Sequence, residues 1–147
     1  MSILAWCLVA HALLARLIAS PWWVPDLTLV GLVLGVSLRP RRWLMASVMA
    51  GLFMMLGAVR FPVQIFLGYL LCGTIVQFAA QRWDTTDGRI QGCVVIVLST
   101  LMTLGLLGLE RLWSWPLLAF AALRVAVTGL SLWFVQQLLR RIKMLPA

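Results

Sequence analysis

The sequence predicts an all-α polytopic membrane protein of six transmembrane helices, and three observations lead there. Of its 147 residues, 63% are hydrophobic and 11% are charged, where soluble domains carry roughly 25% charged residues. The mean hydropathy is +1.04. A water-soluble fold of this size has no interior large enough for so much apolar side chain, so lipid is the expected solvent. The apolar residues also fall into six runs, separated by short breaks rich in Pro, Trp and Arg. Finally, these runs are uniformly apolar. They lack the alternation of an outer-membrane strand, and a helix satisfies its own backbone groups in lipid. One transmembrane domain, residues 1–147, is expected.

The first span runs from Ile3 to Ala19. It is read as retained, because no basic start precedes it and Arg16 interrupts its end, unlike a cleaved signal peptide. Pro21 and Pro25 end it, with Trp22 and Trp23 suited to the interface between them. The second span, Leu27 to Leu38, is short for a bilayer crossing and calls for tilt, local thinning or shielding by neighbours. Arg39-Pro40-Arg41-Arg42 closes it. The third runs from Trp43 to Val59 and turns at Arg60-Phe61-Pro62 into the fourth, Val63 to Gln81. A polar loop from Arg82 to Arg89 leads to the fifth, Ile90 to Leu109. Glu110 to Pro116 breaks the chain again before the sixth, Leu117 to Leu139.

Charge orients these spans. The formal net charge is +8, from 12 Lys and Arg against 4 acids. Arg39, Arg41, Arg42, Arg82, Arg89, Arg140, Arg141 and Lys143 fall on one side, and Arg60 and Arg111 on the other. The positive-inside rule places the first set, and both termini, in the cytoplasm. Trp22, Trp23, Trp113 and Trp115 then mark the outer interface, and Trp43 and Trp83 the inner one. The basic residues form loop clusters with no long arm or amphipathic face, so nucleic acid is not an expected partner.

The chemistry-bearing residues are few. His11 is the sole histidine, and Cys7, Cys72 and Cys93 are scattered within apolar runs. This argues against a metal site and leaves the thiols as packing residues. Asp84 and Asp87 share a loop, and Asp26 and Glu110 sit at outer ends of spans. No hydrolase, phosphate-loop or dinucleotide motif appears. Neither an enzyme nor a cofactor is expected; a zinc-independent membrane hydrolase using one acid and one base is the enzymatic alternative.

Arg124 lies several residues inside the sixth span, where a charge is costly and ordinarily faces a partner or a polar cavity. It either pairs, with Asp26 or Glu110 as candidates, or snorkels outward. Snorkelling is the simpler reading for Arg16. For His11, a packing role is the simpler alternative to a proton relay. Gly31 and Gly35 form a GxxxG pair, Ala15 and Ala19 are similarly spaced, and Ala122, Ala126 and Gly129 line part of the sixth span. Small residues allow close helix approach, either within the chain or to another protein's helix.

The order of these features resembles the rod-shape-determining protein MreD family. Pro25-Asp26-Leu27 opens the short second span, Arg39-Pro40-Arg41-Arg42 precedes the third, and a block runs from Ala50-Gly51-Leu52 through Gly57 to Tyr69-Leu70. The last span ends in Leu138-Leu139-Arg140-Arg141. The resemblance covers about Pro25 to Arg141. Family members often carry an aspartate shortly after the third-span glycine, where Met54 and Met55 stand here. The resemblance implies a non-enzymatic bacterial inner-membrane scaffold of the cell-elongation (rod) complex. It would bind the bitopic protein MreC, work with MreB, a SEDS glycosyltransferase and a class-B penicillin-binding protein, and help organise peptidoglycan synthesis and cell shape. It also implies a fold similar to the substrate-binding subunits of energy-coupling-factor transporters. The expected partner surface includes Gly31, Gly35, Gly51, Tyr69 and Arg124. A vitamin-transporter subunit, which needs an outward pocket with several polar groups, is the second reading. A small efflux transporter, which needs a deep acid for proton coupling, is the third.

Overall fold

A computed structural model describes residues 2–17, 24–109 and 114–142. All of their regular structure is helical. α1 spans Ser2–Leu17, α2 Leu27–Leu38, α3 Trp43–Gly57, α4 Pro62–Arg82, α5 Gly88–Leu109 and α6 Trp115–Arg141, with a 3-10 turn at Pro40–Arg42 joining α2 to α3. The expected fold class therefore stands as all-α. α4, α5 and α6 are each long and apolar enough to cross a membrane, whereas α2 is a shorter apolar helix.

Local chemistry sets the helix boundaries. Proline stands in the first turn of both α4 and α6, where its missing N–H costs nothing and its fixed φ suits a helix start. Several boundaries differ from expectation, with α4 one residue and α6 two residues longer at each end. α3 ends at Gly57 rather than Val59, because Ala58 is already extended on its way to Pro62. α5 begins at Gly88, so the polar loop is shorter than the sequence suggests. Ile18 and Ala19 lie outside the described residues, as do Trp22, Trp23, Glu110, Arg111, Trp113 and Lys143. Phe61, just before α4, has φ 53°, a left-handed backbone that is unusual for an aromatic residue.

α2 is the axis of the molecule. It packs against all five other helices, and ten of its twelve residues are buried. A helix that is apolar on every side needs this complete covering. α1 with α3 and α4 covers one side, and the α5–α6 pair covers the other. α3 packs extensively on α4, while α4 and α5 barely touch.

The outer helices are polar inward and apolar outward. Gln91, Ser99 and Thr103 lie on the buried stripe of α5, and Thr128 and Gln136 on that of α6. Their opposite faces present Val97, Leu101, Leu130, Trp133 and Phe134. Water selects the reverse pattern, and lipid, which is as apolar as leucine, selects this one. Gln136 Nε2 donates to Gln91 Oε1 at 2.7 Å, and Gln91 Nε2 to the Thr85 carbonyl at 2.7 Å, clamping the α4–α5 loop to α6. In that loop Asp84 accepts from the Thr86 hydroxyl and amide, which hold its carboxyl below the usual carboxylate range.

Candidate functional site

Asp26 organises the polar interior. It is the N-cap of α2, and its Oδ1 accepts from the Leu29 N–H at 3.0 Å, which satisfies one of the orphan donors of a helix start. The Tyr69 hydroxyl is shared between the two carboxylate oxygens, at 2.9 and 2.8 Å. The Asp26 N–H donates to Thr128 Oγ1 at 3.1 Å, and that hydroxyl donates to the Arg124 carbonyl at 2.8 Å. One residue thus ties α2 to α4 and α6.

The sequence places Asp26 at the outer end of a span, and the structure buries that end within the bundle. Asp26 is 5% exposed. Tyr69 is seven residues along α4 and Thr128 thirteen along α6, or about 10 and 20 Å from their first residues at 1.5 Å per residue. The cause is the shortness of α2, which starts well below the ends of its longer neighbours. The identifying signal was a Pro-Asp pair ahead of a uniformly apolar segment. A buried acid capping a buried helix needs further donors, and the sole tyrosine supplies one.

Around Asp26 lies a cavity of about 880 Å³ that reaches both halves of the bundle. α1 lends it His11 and Arg16, α3 Phe53 and Met54, α4 Tyr69, α5 Met102 and Thr103, and α6 Arg124. His11 is buried, with Nδ1 3.2 Å from the Pro25 carbonyl and its ring edge-on to Phe53 at 6.5 Å. Arg124 is half-buried and lines the same cavity as Asp26 and Tyr69. It forms no ion pair with Asp26 within 4.0 Å, and its other expected partner, Glu110, lies outside the described residues. Exposed Arg16, Leu56, Val59 and Arg60 form the rim.

The other expected surface residues are spent inside the chain. A Cβ on Gly31 would stand 2.6 Å from Cys7 Cβ, so this glycine sets the α1–α2 approach. Gly51 seats Phe66 of α4, where a Cβ would stand 2.8 Å from the ring. Gly35 is half-buried beside Leu4, and Tyr69 is 1% exposed. Of the five, the structure brings together only Tyr69 and Arg124, at the cavity.

A second hollow, about 700 Å³, lies on the α5–α6 face between Ile96 and Leu104 on one helix and Ala121, Ala122, Ala126 and Gly129 on the other. Among the described residues, no three His, Cys, Asp or Glu side chains are grouped to hold a metal ion. Compared with known proteins, the chain matches no family model, no curated protein and no solved structure.

Proposed function

We propose that this chain is a non-enzymatic, MreD-like scaffold of the bacterial inner membrane, crossing it six times with both termini in the cytoplasm. On this reading it docks the transmembrane helix of an MreC-like bitopic protein. Through that partner it helps to organise peptidoglycan synthesis by a SEDS glycosyltransferase and a class-B penicillin-binding protein alongside MreB.

The observation that carries the reading is the α5–α6 hollow. It is lined almost wholly by apolar atoms, and Ala121, Ala122, Ala126 and Gly129 keep one wall low. Small side chains let a second helix backbone come close, which is the main source of helix affinity in lipid. Supporting the six crossings, α2 is shielded on all sides, so its shortness is no obstacle. The exposed arginines at 39, 41, 42, 82, 89, 140 and 141 fit one cytoplasmic face.

The test is co-purification in mild detergent from the native host, comparing the natural chain with Ala126→Leu. Recovery of an MreC-like protein with the natural chain, and its loss with the variant, supports docking in the hollow. Recovery of a transporter ATPase module instead overturns the scaffold.

The cavity around Asp26 favours a second reading, the substrate-binding subunit of an energy-coupling-factor transporter, whose fold the MreD family resembles. A tightly bound vitamin in the purified chain would establish it.

A further inference from the structure

The cavity needs an explanation that the scaffold does not supply. It has two zones. Phe53, Met54, Ile65 and Leu106 make an apolar chamber, and Arg16 and Arg124 bring guanidinium groups to it. Asp26, which lines the same cavity, accepts from the Tyr69 hydroxyl and the Leu29 N–H rather than from either guanidinium. Guanidinium is suited to oxyanions, whose oxygens it meets with paired N–H donors. The volume of about 880 Å³ falls within the roughly 300–1,000 Å³ of small-molecule sites, and the two methionines make its walls adaptable.

The placement narrows the ligand further. The rim lies where α1 and α3 end and α4 begins, at the height of an interface if these helices span the bilayer. The chamber runs inward among their apolar side chains. A bilayer supplies molecules of this shape, with a phosphate at the interface and a hydrocarbon chain below it.

We propose that the cavity binds a phosphate-bearing amphiphile, its phosphate held by Arg16 and Arg124 and its apolar chain lodged among Phe53, Met54, Ile65 and Leu106. The inference rests on the membrane reading of the chain and not on its protein partner. The site is occupied from the lipid phase, and the Tyr69–Asp26–Thr128 bonds hold α4, α2 and α6 in place as its floor.

The full chain, purified in a neutral detergent, is titrated with dihexanoyl phosphatidic acid, with dihexanoylglycerol and with inorganic phosphate, following its thermal unfolding. Phosphatidic acid is expected to raise the melting temperature saturably, and dihexanoylglycerol and phosphate to raise it little. Arg124→Gln is expected to weaken phosphatidic acid about tenfold, as for one lost hydrogen bond to a charged group. Arg16→Gln, at an exposed and therefore substitutable position, should weaken it in the same direction. Leu106→Trp should weaken it by filling the chamber while both arginines remain. Equal binding of inorganic phosphate would make this a soluble-anion site, and equal binding of dihexanoylglycerol, which lacks the phosphate, would make it an apolar one. Either result, or unchanged affinity in both arginine variants, overturns the proposal. Co-purification of the MreC-like protein with Arg16→Gln is read separately, so failure of the lipid site and failure of the scaffold are distinguishable.

Discussion

Tyr69→Phe isolates the bond on which the interior turns. The substitution removes one oxygen and leaves the ring in its buried position, 1% exposed. What is lost is the hydroxyl shared between the Asp26 oxygens at 2.9 and 2.8 Å. Hydrogen bonds to charged groups contribute roughly 1.5–3 kcal/mol, whereas interhelical hydrogen bonds in membrane proteins average about 0.6 and reach about 1.7 kcal/mol. The Asp26 pair is buried and links two helices, but Asp26 keeps its bond from the Leu29 N–H. A loss of about 1.5–1.7 kcal/mol is therefore expected, where the two ranges meet. Asp26→Ala removes the helix cap as well, worth about 1 kcal/mol more. Reversible unfolding in mixed micelles, followed by circular dichroism, measures both variants and their combination. If the two residues act as one unit, the double variant costs about as much as Asp26→Ala alone. A Tyr69→Phe loss below about 0.5 kcal/mol, or strict additivity in the double variant, would falsify the coupling.

Two further expectations concern packing and buried polarity. Gly31→Ala should destabilise the fold by about 1–3 kcal/mol, the range for overpacking, because its Cβ would meet Cys7. Gly105→Ala, with open space around it, should be neutral or gain up to about 1 kcal/mol from helix propensity, and thermal unfolding in detergent compares the two. Gln136→Leu should cost about 1–3 kcal/mol by leaving Gln91 Oε1 without its donor. Gln91→Leu with Gln136→Leu should cost less than the sum of the single losses, and the same unfolding assay reads the difference.

Helices were legible in the sequence where the chemistry is local. Long apolar runs identified each one, and Pro62 and Pro116 gave starts close to the observed ones. The α3 end was misplaced by two residues because Ala58 and Val59 continue the apolar run while the backbone has already turned. The site was less legible. Arg124 signalled a cavity or partner by its cost in lipid, but the depth of Asp26 depends on how far α2 is recessed among longer helices, which no local pattern records. Gly31 and Gly51 advertised close packing without saying to what, and the neighbour proved to be this chain's own α1 or α4. The Gln91–Gln136 clamp joins residues whose apolar runs look alike, so only the rotation of α5 against α6 shows that they meet.

The encasement of α2 also constrains the birth of the molecule. Twelve residues reach about 18 Å as a helix, against roughly 30 Å of hydrocarbon, and Asp26 would enter lipid with only the Leu29 N–H bonded to its carboxylate. During synthesis α2 emerges long before Tyr69 and Thr128, the residues that complete its polar shell. It has no stable solitary existence in a bilayer. If it crosses the bilayer as proposed, it must be sheltered beside α1, or within the insertion machinery, until α4 brings the Tyr69 hydroxyl to its carboxylate and α6 brings Thr128 Oγ1 to the Asp26 N–H.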